Sequence, residues 1–148
     1  LKNAIASLRG VVTLIATQHN IDRVLKFADV VIGAVLVPGQ RAPILIPRKM
    51  LKAMRPRAVF IDFSIDQAGC AETSRPTTLR DPTYIVDDVV HYCVPNTPAQ
   101  VARTASHALV NAAVPFLLDL SERGVDAAIE SSLALKHGTQ VWHGKIQE

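Results

Sequence analysis

Cysteine is scarce in the 148-residue chain: Cys70 and Cys93 are the two present. They have neither metal-ligand spacing nor the density of a secreted disulfide scaffold, so a reducing cytoplasm is the expected setting. Aromatic residues make up 5%, which leaves no stacking platform for single-stranded nucleic acid, and a formal charge of +3 is too small to argue for a nucleic-acid partner. Long apolar runs are missing too. Ala28–Pro38 and Ala108–Leu118 are interrupted by Asp29 and Asn111, and both fall short of the about 20 residues a membrane-crossing helix needs. No G-x-G-x-x-G, Walker motif, zinc spacing or G-x-S-x-G elbow occurs. The chain opens at Leu1 without a charged leader or h-region, and reads as a piece cut from something longer.

What is present is a chain with 49% hydrophobic residues, enough for a core without staples, since a domain of this length buries roughly 68–70% of its unfolded surface. Charge is uneven. Between Asp29 and Asp62 there is no acid, while Arg41, Arg48, Lys49, Lys52, Arg55 and Arg57 fall in that window. Two readings compete: a phosphate-facing patch, or the solvated face of a short amphipathic helix over Pro47–Met54 with Met50, Leu51 and Met54 on its other side. The second is favoured.

Val11–Ala16 is a continuous apolar, β-branched run and is expected to be a strand buried on both faces, after a helical Leu1–Leu8 that stops at Gly10. Asn20 is placed to cap a helix whose Ile21, Val24, Leu25 and Ala28 recur at helical spacing. Asp29–Val35 and Ala58–Phe63 are expected as further buried strands around the basic helix, the order of βαβ crossovers in a parallel sheet. A long loop, Ser64–Pro82, separates them from two short strands, Thr83–Val86 and Val89–Val94, with Asp87-Asp88 at the turn. Thr97-Pro98-Ala99-Gln100 has the form of a capping box, and a helix should start there or one turn later. Val101, Ala105, Ala108, Leu109, Ala112, Phe116 and Leu120 mark it as long and half-buried, with a bend at Pro115. Short helices around Asp126–Glu130 and Ser132–Lys136 follow, then a strand at Thr139–Trp142 and a His143-Gly144 turn.

In open parallel sheets ligands bind beyond the carboxyl ends of the strands. Three segments qualify. Gly33-Ala34-Val35-Leu36-Val37-Pro38-Gly39 offers a small strand end that a flat ligand could approach, although small residues there also serve helix packing, with Gly39 turning the chain away. Ile65-Asp66-Gln67-Ala68-Gly69-Cys70 places a carboxylate that could orient a water or an amine, hold a ribose hydroxyl, or simply be a solvated surface acid. Val94-Pro95-Asn96-Thr97-Pro98 puts an amide side chain beside a helix start. The five histidines are dispersed. His91, alternating in a strand, reads as a satisfied core or rim imidazole, and Cys70 as a bystander.

Read together, A-D-V-V-I-G-A-V-L-V-P-G (28–39), I-D-Q-A-G-C-A-E-T-S-R-P-T-T (65–78), H-Y-C-V-P-N-T-P (91–98) and residues 103–115 resemble the alanine dehydrogenase family in order and spacing across nearly the whole chain. The resemblance implies an α/β fold: the second half of an NAD(P)-binding Rossmann domain over residues 1–100, a partial parallel sheet with helices on both faces, then a long connecting helix and helical tail of the substrate domain over 101–148. It implies NAD-dependent oxidative deamination of L-alanine to pyruvate and ammonium, and a homo-oligomer. Asp66 matches the family's catalytic aspartate. Ala34, Val35 and Leu36 match the segment along the cofactor, and Phe63, Ile65, Val94 and Asn96 match positions on the nicotinamide side; Thr17 stands where a serine commonly meets the adenosine. The chain departs from the pattern with Ala68 for Gly, Thr97 for Met and Ala16-Thr17 for the serine. The family's substrate-binding Arg and Lys, its acid/base His and its glycine fingerprint lie in a region this chain does not contain. The chain alone is therefore expected to be inactive. The competing expectations are a transhydrogenase α-type subunit, a non-catalytic binding or assembly module, and a surviving part of a full enzyme.

Overall fold

In a computed structural model that describes residues 10–147, the chain divides into two compact units, one ending at Thr97 and the other beginning at Pro98. The first unit opens with helix α1, Gln18–Leu25. Thr17 caps it, its Oγ1 accepting from the Asn20 amide at 3.2 Å, so the cap lies three residues before the expected Asn20. The Asn20 side chain instead donates to the Ile15 carbonyl at 2.9 Å. Strands β1 (Val30–Gly33), β2 (Val59–Asp62), β3 (Thr83–Val86) and β4 (Val89–Tyr92) form one sheet in the order β1-β2-β4-β3. β1, β2 and β4 run parallel, and β3 closes the edge antiparallel to β4. The hairpin between them turns on Asp87 and Asp88, both in the left-handed region at φ 51° and 62°, a conformation that short polar residues tolerate.

Between β1 and β2 lies the four-residue helix α2, Arg48–Leu51, started by Pro47 and followed by a turn to Met54. Leu51 and Met54 face inward to meet Phe60 and Val89 in the core, while Arg48, Lys49 and Lys52 are exposed. Arg48 pairs with Asp87 at 2.9 Å and Arg55 with Asp29 at 2.9 Å. Two of the six basic residues in the window thus meet acids from elsewhere in the chain, as a solvated face does.

Val11–Ala16 departs from expectation. The segment is not a strand and it is exposed, with Val12 and Ile15 at 79% and 80%. A strand exists only as part of a ladder, and among the described residues the segment pairs with no strand, β1 included, whose outer edge stays open. The expected helix over Leu1–Leu8 lies outside the described residues.

His91 sits in β4 with no exposure, edge-on to Phe60 (5.6 Å) and stacked on Tyr84 (4.8 Å). The Val89 carbonyl can only accept, so Nδ1 carries the proton at 2.9 Å and Nε2 is left to take the Thr73 hydroxyl hydrogen at 2.9 Å. The imidazole is a satisfied core group, as expected. Burial holds its pKa below the ordinary 6.5, outweighing the raising effects of the Val89 carbonyl and of Asp62 and Asp87. A folded-state pKa below the unfolded one means that stability is fully present above about pH 6.5 and is lost as pH falls toward the folded value. Thermal unfolding followed from pH 7.5 to 5 should therefore show a falling Tm, and His91→Phe should flatten that slope.

A 3-10 turn, Thr97–Val101, spans the boundary, and the second unit continues as α3, Ala102–Arg123, one turn after the expected cap and running through Pro115. No residue of α3 is buried, contrary to the half-buried helix that its apolar stripe suggests. Within this unit α3 packs on α4, Val125–Ser131, which at ~10 Å cannot cover a helix of ~33 Å. Helix α5, Leu133–Gly138, follows. Strands β5 (Val141–Trp142) and β6 (Lys145–Ile146) then form a two-residue hairpin over His143-Gly144, at φ 48° and 75°.

Candidate functional site

The strands β1, β2 and β4 are parallel, so their carboxyl ends bring residues 34–36, 63–70 and 94–96 to one rim of the sheet. After β2 the chain makes a 3-10 turn, Phe63–Gln67, ended by Ala68 in the left-handed region at φ 75°. A side chain there is strained, and a glycine would not be. The turn raises Asp66 into solvent, where both carboxylate oxygens accept from the Asn96 amide, at 3.0 and 3.1 Å. Asn96 itself is left-handed, φ 51°, which asparagine bears better than most residues. Its exposed side-chain amide has no partner among the described residues. Two residues thirty positions apart are thus joined into one corner.

The β1 exit is tied to the same corner. Ser64 Oγ accepts from the Val35 amide at 2.7 Å, which takes that donor away from any ligand. Leu36 and Phe63, after β1 and β2, present exposed apolar side chains, at 70% and 45%. Ala34 is exposed, whereas Ile65 and Val94 are buried at 4% and 5% and would meet a ligand only through their main chain. Thr17 is exposed, and its oxygen already caps α1, leaving its O–H as the free function. Its neighbour Ala16 lines an apolar groove of about 360 Å³ together with Ile21, Ile32, Ala34 and Val35. Among the described residues no hydrogen bond joins Thr17 to Asp66 or Asn96.

The smallness of Gly33 proves to serve packing. A Cβ built there would lie 2.4 Å from Cys70 Sγ, so the close approach at this strand end is made by the chain's own cysteine. Gly39 does turn the chain, with φ 69° and open space around it. Cys70 is 1% exposed; burial first, and then the neighbouring Asp62 carboxylate, push its thiol up to about 12, so it stays protonated at neutral pH. No cluster of three or more metal-ligating residues occurs among the described residues.

Asp62 is the residue the sequence reading passed over. It ends β2 at 1% exposure and accepts from the Ser64 amide (2.9 Å), the Cys70 amide (2.9 Å), the Ser74 hydroxyl (2.6 Å) and the Cys70 thiol (3.5 Å). The signal was available: it is the one acid inside the apolar run Ala58–Phe63.

The rim suits the flat ring end of a dinucleotide: exposed apolar side chains, an amide free to pair with a carboxamide, and a fixed carboxylate beside them. Gln67 Oε1, one residue past Asp66, is buried without a donor among the described residues. Nothing among these residues resembles a pyrophosphate cradle.

Comparison with known proteins supplies the family. The family model for the alanine dehydrogenase/PNT C-terminal domain matches residues 2–148. The chain is 47% identical over 134 residues to an alanine dehydrogenase of Halomonas elongata, covering 90% of this chain and 36% of that protein. It is 44% identical to one of Mycobacterium tuberculosis over the same shares. The chain thus spans about a third of the length of these curated relatives. Among solved structures, an L-alanine dehydrogenase superposes with a TM-score of 0.80 at 40% identity, covering 98% of this chain and 40% of that one. A transhydrogenase from Sinorhizobium meliloti gives 0.63 at 29% identity, covering 78% of this chain and 33% of that one.

Proposed function

Since the chain belongs to the alanine dehydrogenase/PNT C-terminal domain family, we propose that its first unit carries the nicotinamide end of an NAD site serving the oxidative deamination of L-alanine. The balanced reaction is L-alanine, NAD⁺ and water to pyruvate, ammonium, NADH and a proton. NAD, when bound, supplies the hydride acceptor. Leu36 and Phe63 would shield the ring from water, Ala34 would let the β1 exit approach the cofactor, and the Asn96 side-chain amide would be the partner for its carboxamide. Asp66, held in place by the Asn96 amide, orients the substrate amine or the attacking water. Thr17 can donate its hydroxyl toward the adenosine. The substrate-binding cations, the acid/base group and the phosphate cradle come from polypeptide outside these residues, so the chain by itself binds cofactor weakly and turns over no alanine. The units ending at Thr97 and beginning at Pro98 correspond to the cofactor and substrate domains, and the assembled enzyme is a cytoplasmic homo-oligomer.

The observation that carries this reading is the Asp66–Asn96 corner at the carboxyl ends of a parallel sheet. Higher identity and TM-score to alanine dehydrogenase than to the transhydrogenase favour deamination over hydride exchange with a membrane partner. Isothermal titration with NADH tests it. Asn96→Gly preserves the left-handed backbone and the amide to Asp66 while removing one neutral side-chain hydrogen bond, so it should weaken binding about three- to tenfold. No heat of binding at millimolar NADH, or an affinity that Asn96→Gly leaves unchanged, contradicts the proposal.

A further inference from the structure

The geometry points to Asp62 as the positioning residue of the rim, the buried group that fixes where Asp66 and the β1 exit stand. The inference rests on the reading of that rim as a cofactor site, because only there does the position of Asp66 matter. Asp62 touches no ligand-facing surface, being 1% exposed. What it touches is the loop that carries Asp66, on both sides of it. Its Oδ1 accepts from the Ser64 amide, which starts the 3-10 turn, and its Oδ2 from the Cys70 amide and the Ser74 hydroxyl, which bring the chain back. Asp66 is thus raised on a loop whose two feet stand on one carboxylate.

Two links carry this outward. The Ser64 residue that Asp62 holds by its amide holds the Val35 amide with its hydroxyl oxygen, which couples the β2 exit to the β1 exit. Asp66 in turn holds the Asn96 amide, which couples the loop to the β4 exit. A single buried acceptor therefore sits at the root of all three strand ends that form the rim. Gly69 belongs to the same device: a Cβ there would fall 2.9 Å from Asp62 Oδ2 and 2.6 Å from Ser74 Cβ. A carboxylate is required because all of these partners are donors. The isosteric amide would turn an NH₂ toward at least one of them, leaving donor against donor in a buried site.

Amide hydrogen exchange of the ¹⁵N-labelled chain, read by NMR without cofactor, tests the inference. In Asp62→Asn, protection of the Val35, Ser64 and Asn96 amides should fall at least tenfold further than that of the ladder amides between β2 and β4. Ser74→Ala removes one of the bonds and should show the same local pattern with smaller amplitude. A merely structural Asp62 would lower protection across the sheet in parallel. Where Asp62→Asn fails to fold, Ser74→Ala decides: local loss at Asn96 and Val35 upholds the role, and unchanged or uniform protection overturns it. Because the readout needs no NADH, it stands whether or not the chain binds cofactor. If the wild-type chain does bind, Asp62→Asn should also raise the NADH Kd at least tenfold although Asp62 lines no ligand surface, and an unchanged Kd would overturn the positioning claim.

Discussion

Gly69→Ala should lower the Tm of the sheet unit by at least about 10 °C, a steep loss for one added methyl group. Two costs coincide at this position. Its φ of 78° lies in the left-handed region, where a Cβ costs about 1–2 kcal/mol. The same Cβ would stand 2.6 Å from Ser74 Cβ and 2.9 Å from Asp62 Oδ2, inside a buried network that cannot give way without losing the Ser74 hydroxyl bond, and overpacking of that kind costs about 1–3 kcal/mol more. For a unit of this size about 1 kcal/mol moves Tm by about 4–8 °C. Gly39→Ala is the internal control. Its φ is 69°, yet nothing lies within 4 Å of the new atom, so it should show the conformational cost alone. Thermal unfolding by circular dichroism separates the two. Equal losses at both positions would mean that the crowding around Asp62 carries no weight.

Phe60→Ala should cost about 3–5 kcal/mol, a large fraction of the about 5–15 kcal/mol that holds a typical domain together. Phe60 lies in the middle of β2 with no exposure, packed with Leu51, Met54 and Val89 and edge-on to His91. β2 is paired on both sides, so the cavity cannot be closed by a strand moving in. Leu117→Ala, on α3, is the counterpart: Leu117 is 60% exposed, and its truncation should change stability by less than about 0.5 kcal/mol. Denaturant unfolding of the two variants measures both. A loss of several kcal/mol for Leu117→Ala would show that α3 is covered in solution, as a self-associating chain would cover it.

How much of this could be read from residues alone varied with the range of the interactions. β1, β2, β3 and β4 fall where their apolar, β-branched runs stand between turn residues, because both signals are local. The Asp87-Asp88 and His143-Gly144 turns were legible for the same reason: few residue types accept positive φ at two successive positions. Val11–Ala16 has an equally strong local signal and is not a strand, since pairing depends on a neighbour that no local pattern reveals. The cap of α1 shows a finer limit, because Thr17 and Asn20 are both competent caps and their places are settled by which oxygen meets which amide. At the rim, Asp66 and Asn96 were singled out by their places just after strands and then by family motifs, but their mutual hydrogen bond spans thirty residues and needs the parallel sheet to bring it about. Asp62 was passed over and the packing partner of Gly33 was not identified through the same gap: one is an acceptor for a returning loop and the other a seat for Cys70 Sγ, and both meanings lie in residues distant in sequence.

The central claim is that the carboxyl ends of β1, β2 and β4 form the nicotinamide side of a cofactor site, and chemical-shift mapping tests it most directly. Adding NADH to the ¹⁵N-labelled chain should perturb the amides of Ala34, Leu36, Phe63, Asp66 and Asn96, saturating together, while α3 and the β5–β6 hairpin stay unmoved. Perturbations confined to the second unit, or none at millimolar NADH, would contradict the claim.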